Sequence, residues 1–150
     1  MNTKPKLRTR RAARSFVISA AGRVLLFRFD LPDRTPFWVT PGGECEPDES
    51  FEQAAQRELF EETGLTFDPG EEVGRTAPKF TTVEGELVQA DERYFLLRVQ
   101  EESITTAHQT ELEREVMTQH RWFALEELED WPEAIFPENL CEMIETVADR

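Results

Sequence analysis

The chain has 150 residues, a length that suits one domain with a substantial core and is short for two. Its content of 39% hydrophobic and 32% charged residues excludes a disordered chain. Thirty-one acidic residues against seventeen basic ones give a formal net charge of -14, which would repel a phosphate backbone, so duplex nucleic acid is excluded as an expected partner.

No stretch of the sequence reaches the ~18 apolar residues that a membrane span needs. The two cysteines, Cys45 and Cys141, lie far apart and show no metal-binding spacing, which favours a reducing, cytoplasmic compartment. Residues 1–11 are rich in lysine and arginine, and we expect a basic, partly flexible tail there. The whole chain, residues 1–150, is expected to form a single domain.

The first elements are predicted to be strands. Residues 13–20 and 22–30 are rich in β-forming side chains and are joined by a turn-like Ala-Gly pair, which predicts a β-hairpin. Residues 35–43 follow as a short apolar strand, and Pro41 with two glycines closes it in a sharp turn.

The best-defined element is a helix that Asp48 or Ser50 can cap and that runs to about Thr63. Gly64 supplies the left-handed residue that ends it. One face of this helix is apolar, through Phe51, Ala54, Ala55 and Leu59. We therefore expect that face to be packed.

The second half of the chain repeats the change from strands to helix. Residues 93–99 are the clearest strand, a polar loop leads to a strand at residues 120–125, and residues 136–150 predict an amphipathic helix. This order of strands, helix, strands and helix predicts an α+β fold in which helices pack on a mixed sheet.

Three glutamates share one turn of the first helix: Glu58, Glu61 and Glu62. They are neighbours because residues three and four apart lie side by side, and like charges there destabilise the helix. Glu58 and Glu62 also fall on or beside the apolar face, where carboxylates are costly unless they are paired or bind metal. A divalent ion is one interpretation. The other is a solvated face with Arg57 and Glu61 as an ordinary ion pair.

A longer frame around these acids decides between the two interpretations. From Gly43 the chain passes through five residues to Glu49 and through seven more to Arg57, which opens the segment RELFEETGL ending at Leu65. At every specified position this frame resembles the Nudix box of the Nudix hydrolase superfamily. The resemblance implies the Nudix fold, an α/β/α sandwich, and an enzyme that hydrolyses a nucleoside diphosphate linked to another group.

The resemblance also implies a metal centre that uses Mg²⁺ or Mn²⁺. Glu58, Glu61 and Glu62 match the family's metal ligands, and the carbonyl of Gly43 can face the same metal. Bridging divalent ions neutralise the negative diphosphate and lower the pKa of water, which then attacks phosphorus. Glu58 and Glu61 are thereby catalytic residues as well as ligands.

Further catalytic roles are implied for residues around the metal. Arg57 matches the arginine that orients and partly neutralises the carboxylates, and Glu49 matches the first glutamate of the box, which supports the metal site. In many members of the family a glutamate from a later loop assists the attacking water. Glu111, Glu113 and Glu115 are the candidates for that role here, and the sequence does not choose among them.

The substrate stays open within small-molecule nucleotides and nucleoside diphosphate derivatives. The family's subfamily signatures for coenzyme A, NADH, ADP-ribose and diadenosine polyphosphates are not found in this sequence. A non-catalytic nucleotide-binding or regulatory Nudix module is the alternative, although it would be expected to lose box glutamates, and all are present. A third alternative is an isoprenoid-diphosphate isomerase of related fold. It would need its own catalytic cysteine and glutamate outside the box, and no convincing match is visible. Dimers are common among relatives, so a homodimer is possible.

Overall fold

The computed structural model describes residues 7–147, which form a nine-stranded mixed sheet and four helices. The strands are β1 (Arg8–Ser19), β2 (Val24–Phe29), β3 (Phe37–Val39), β4 (Gly42–Glu44), β5 (Gly74–Thr76), β6 (Lys79–Thr81), β7 (Leu87–Val99), β8 (Met117–Phe123) and β9 (Ala134–Phe136). The helices are α1 (Phe51–Thr63), α2 (Glu111–Val116), α3 (Leu125–Glu129) and α4 (Leu140–Val147). The main path of the sheet is β5-β7-β1-β2-β3-β9, while β4 pairs with β1, β6 with β7 and β8 with β2.

The long strand β1 lies at the centre of this sheet. It forms the predicted antiparallel hairpin with β2. It also runs parallel to β7 along its whole length, from Arg8 opposite Val88 to Ser19 opposite Val99. This pairing takes residues 8–11 into the sheet, so the prediction of a flexible tail is wrong for them, while residues 1–6 lie outside the described part of the chain.

The two faces of the sheet are covered by different helices. Successive side chains of a strand point to opposite faces. Phe16 and Ile18 pack in one cluster with Leu140 of α4, whereas Val17 packs in another with Leu59 of α1. The helices α1 and α4 therefore lie on opposite faces, which gives the predicted α+β fold its α/β/α layers.

The segment ahead of residue 120 differs from the prediction of a polar loop. Residues 111–116 form the short helix α2, and β8 begins at Met117. A helix of one and a half turns is too short to show a clear 3.6-residue pattern in a sequence. The difference matters for function, because α2 carries the candidate bases.

The last helix is shorter than predicted. It begins at Leu140, because residues 134–136 form β9 and pair in parallel with β3. The predicted apolar positions Leu140, Ile144 and Val147 are buried, and residues 148–150 lie outside the described part of the chain. Within residues 7–147, no helix combines the length and the apolar character needed to cross a bilayer.

Candidate active site

A cleft of about 990 Å³ opens beside α1. Its walls come from the second half of α1, from β4 and α2, and from β6 and the segment that follows β9. Acidic, basic and aromatic side chains all line it. This volume is at the upper end of the range for small-molecule sites, so the cleft can hold a nucleotide-sized ligand.

Local sequence sets both ends of α1, the helix that lines this cleft. The Ser50 side chain accepts a hydrogen bond from the Gln53 N–H, and the Gln53 side chain accepts one from the Ser50 N–H, which makes Ser50 the cap of the two that were predicted. Gly64, with φ of 73°, ends the helix as predicted. The buried face of α1 includes the predicted apolar stripe together with Glu58 and Glu62.

Three carboxylates converge at one end of the cleft. One oxygen from each of Glu58, Glu61 and Glu113 lies within 4.8 Å of the others. Glu58 and Glu61 come from α1, whereas Glu113 comes from α2. Glu113 is held in place by the cap of α2: its Oε1 accepts the Thr110 N–H at 2.9 Å, and its own N–H donates to the Thr110 hydroxyl at 3.1 Å. The short helix thus adds a third carboxylate to the two from the box.

Arg57 connects this group to Glu49. Its Nε and Nη2 donate to the two carboxylate oxygens of Glu49, both at 2.8 Å, and this bidentate pair fixes the guanidinium plane. Its Nη1 donates to Oε1 of Glu58 at 3.0 Å and to Oε1 of Glu61 at 3.5 Å. The Arg57 guanidinium holds the pKa of the Glu49 carboxyl below its usual value. Arg57 is therefore placed to orient both of these carboxylates and to neutralise them in part.

Glu62 takes a different position from the other box glutamates. It is buried, and its Oε1 accepts the Gly42 N–H at 2.7 Å, which ties α1 to β4. Arg14 contacts the same segment as Glu62: its Nη1 donates to the carbonyls of Thr40 at 3.2 Å and Gly42 at 3.4 Å. The group of mutually close carboxylates does not include Glu62. Its role as a metal ligand stays a prediction.

Gly43 lies directly against Glu58. A Cβ built on Gly43 would be 2.7 Å from the carboxyl carbon of Glu58, so a side chain there would displace the carboxylate. The missing side chain lets β4 approach α1 this closely. That its carbonyl faces a metal stays a prediction.

Burial dominates the electrostatics of the acidic cluster. Loss of solvation raises the pKa of Glu58 from 4.5 to about 7. The charge of Arg57 lowers this pKa in part, while the charges of Glu61 and Glu113 raise it further. Burial, assisted by the charges of Glu58 and Glu113, also raises the pKa of Glu62 well above its ordinary value. Carboxylates whose ionised form is disfavoured in this way, and which face a cleft, are typical of functional sites.

These shifts predict how the metal-free protein responds to pH. Between about pH 5 and about pH 8, Glu58 and Glu62 bind more protons in the folded protein than in the unfolded chain, because folding raises their pKa values. The free energy of unfolding is therefore expected to fall as pH rises through this range. For Glu58 the expected loss is on the order of 2 kcal/mol. Denaturant unfolding in EDTA at both pH values measures it.

Glu58→Gln provides the control for this pH dependence, because an amide does not ionise. Its stability should fall by less than that of the wild type over the same range. His120, whose pKa is lowered by burial, acts in the opposite direction, but it does so in both proteins. An equal fall in both proteins would contradict the prediction.

The other two predicted base candidates do not reach the cleft. Glu111 and Glu115 are exposed, and neither lines it, whereas Glu113 does. The sequence signal that distinguishes Glu113 is the Thr-x-x-Glu pattern that begins at Thr110, since this pattern marks a helix start and holds the glutamate over the first turn.

Sequence analysis did not single out the basic residues of the cleft. Besides Arg57, which the box frame indicated, four basic side chains line it: Arg10, Arg14, Arg34 and Lys79. Arg10 falls within the predicted tail and the others in or next to strands, where isolated cations are ordinary, so no local pattern marks them.

Comparisons with known proteins agree with this geometry. A family model described as NUDIX domain matches residues 8–142. A MutT protein from Methanosarcina mazei Go1 is 21% identical, with a TM-score of 0.74 over 97% of each chain. A MutT NUDIX hydrolase from Burkholderia pseudomallei is 22% identical, with a TM-score of 0.67 over 93% of this chain and 98% of that one. An Ap4A hydrolase from C. elegans is 19% identical, with a TM-score of 0.62 over 93% and 96%.

The family model spans most of the chain, and the chain therefore belongs to the NUDIX domain family. It is a Nudix-type pyrophosphohydrolase, which confirms the predicted enzyme class and family. At these identities the likeness to each solved structure shows the fold, and the predicted Nudix fold is confirmed. The matched range contains the whole box from Gly43 to Leu65.

Proposed function

We propose that this enzyme uses Mg²⁺ or Mn²⁺ to hydrolyse a diphosphate bond in a nucleoside diphosphate linked to another group, by attack of water at phosphorus. The observation that carries the proposal is the convergence of Glu58, Glu61 and Glu113 within 4.8 Å at the end of a nucleotide-sized cleft. Carboxylate oxygens are the ligands that these hard cations prefer.

The donor set fits a divalent ion on physical grounds. Three carboxylates face one another, Arg57 pairs with only two of them, Glu58 and Glu61, and burial makes the ionised form of Glu58 costly. A doubly charged ion removes that cost because it attracts all three oxygens at once. Glu62 and the Gly43 carbonyl are proposed as further ligands. A bound ion would supply charge neutralisation of the diphosphate and activation of water.

The residues of the chain supply positioning and proton transfer. Arg57, anchored by Glu49, keeps Glu58 and Glu61 oriented, so that little reorganisation accompanies the reaction. Glu113 reaches the cluster from α2 and is the proposed base that accepts the proton of the attacking water. Phe37 and Phe80 line the same cleft and are proposed to contact a nucleobase.

The test is a hydrolysis assay on a broad panel of nucleotides. The purified protein should release phosphate, pyrophosphate or a nucleoside monophosphate from at least one compound with Mg²⁺ or Mn²⁺, and release should stop in EDTA. Glu61→Gln should lower the rate by about 10² or more because it removes one charged ligand. Glu52→Gln is the matched control, since Glu52 is exposed on the same helix and does not line the cleft.

Three outcomes would count against the proposal. Activity that survives Glu61→Gln, or that persists in EDTA, would remove the metal assignment. Nucleotide binding without any turnover would instead favour the regulatory-module alternative. The cytoplasmic compartment and the homodimer stay predictions.

A further inference from the structure

Arg10 lines the cleft with part of its guanidinium buried and unpaired. Its side chain is only 16% exposed, and its Nε and Nη1 atoms are buried without a hydrogen-bond partner. Its nearest acids are at ion-pair distances only: 3.4 Å from Nε to Glu44 and 3.9 Å from Nη1 to Glu92. A buried guanidinium is costly unless its N–H groups are paired. Arg10 therefore has donors to spare.

Both of these acids are shared with other arginines. Glu44 accepts a hydrogen bond from Arg8 at 2.6 Å, and Glu92 accepts one from Arg14 at 3.4 Å. The Nε of Arg14 is also buried and has no hydrogen-bond partner. Burial and the neighbouring charge of Arg14 lower the pKa of Arg10, although an arginine remains charged at neutral pH. The two guanidiniums approach the same carboxylate, that of Glu92, and each keeps at least one buried N–H group without a hydrogen-bond partner.

Arg10 and Arg14 line the same cleft as the acidic cluster. Arg14 is opposite Gly42 in the β1–β4 pairing, and the Gly42 N–H holds Glu62. Arg10 is four residues from Arg14 along β1, so their Cα atoms are about 13 Å apart in an extended strand. Both guanidiniums nevertheless reach the Glu92 carboxylate. The ring of Phe80 lies 5.6 Å from the Arg10 guanidinium and restricts its orientation. The cleft is thus lined by a cluster of carboxylates from α1 and α2 and by two guanidiniums from β1.

We propose that Arg10, supported by Arg14, binds a phosphate group of the substrate that lies outside the diphosphate being hydrolysed. A guanidinium with free N–H groups presents a rigid fork that matches phosphate oxygens. The inference rests on the proposed function and narrows its substrate class. The favoured substrate carries a third phosphate, as a nucleoside triphosphate does, and is not a nucleoside diphosphate linked to an uncharged group.

The experiment measures equilibrium binding of inorganic tripolyphosphate by calorimetry, in EDTA and at low salt, so that it requires no hydrolysis. Arg10→Gln is expected to weaken binding at least tenfold. Arg10→Lys should retain part of the affinity, because it keeps the charge and loses the bidentate fork. Arg23→Gln is the matched control: Arg23 is 48% exposed, pairs with Glu102 and does not line the cleft.

The outcomes separate this inference from the proposed function. Equal affinity in the wild type and Arg10→Gln, or no binding by the wild type, would overturn the phosphate site. A purely structural role for Arg10 would lower the unfolding midpoint of Arg10→Gln without changing tripolyphosphate affinity, and that result also overturns it. Arg10-dependent binding in a protein that hydrolyses no nucleotide would reject the proposed function alone.

Discussion

Glu113→Gln is expected to reduce the rate of nucleotide hydrolysis by about 10²- to 10⁴-fold, the range for loss of a general base. The reason is geometric: Glu113 is the α2 acid whose carboxylate lies within 4.8 Å of the oxygens of Glu58 and Glu61. Glutamine keeps the hydrogen bond to the Thr110 N–H, so α2 should still form. Rates under saturating Mg²⁺, measured with the best compound of the nucleotide panel, test this prediction.

Two matched controls lie on the same short helix. Glu111→Gln and Glu115→Gln remove the same charge from α2, but both side chains are exposed and lie off the cleft. Each should leave the rate within about twofold of the wild type, because the charges of exposed acids are well screened. A loss of activity in either control comparable with that of Glu113→Gln would show that general charge, and not position, is what matters.

Gly42→Ala is expected to destabilise the fold by about 3 kcal/mol or more, the size of effect produced by strain and overlap at a special backbone position. Gly42 has φ of 146°, and a Cβ there would overlap the carbonyl oxygen of Ala13 and come within 2.8 Å of the Cα of Arg14. These are backbone atoms of the central strand, which cannot move aside cheaply. Denaturant unfolding in EDTA measures the loss.

Gly22→Ala separates backbone strain from steric overlap. Gly22 also has a positive φ, of 79°, but a Cβ there would have no atom within 4 Å. Its loss should be about 1 to 2 kcal/mol, the cost of a left-handed conformation for an L-residue. Equal losses for the two variants would contradict the overlap that the structure indicates between β4 and β1.

The proposed metal and phosphate sites together would explain how so acidic a protein can take a polyanion. A formal net charge of -14 repels phosphate at long range. In the proposed mechanism a divalent ion neutralises the acidic cluster where the diphosphate reacts, while Arg10 and Arg14 attract a further phosphate directly. Under these two proposals the reaction depends on metal, and selection of the substrate depends on β1.

The parts that could be predicted from sequence are those encoded within a few neighbouring residues. The limits of α1 follow from Ser50 and Gly64, and the crowding of Glu58 with Glu61 follows from helical spacing alone. The β1–β2 hairpin follows from β-forming residues on either side of a short turn. Each of these depends on contacts at most one or two turns away along the chain, so the linear order of residues is sufficient.

The remaining features depend on residues that are distant in sequence and meet only when the sheet is assembled. Glu113 reaches Glu58 from 55 positions away, because α2 leads into β8, which pairs with β2. Arg10 becomes a buried cation because β1 lies alongside β7 and brings it close to Glu92. Spacing along a chain does not encode such tertiary contacts. Packing across the sheet determines which of several similar acids or arginines becomes buried from solvent.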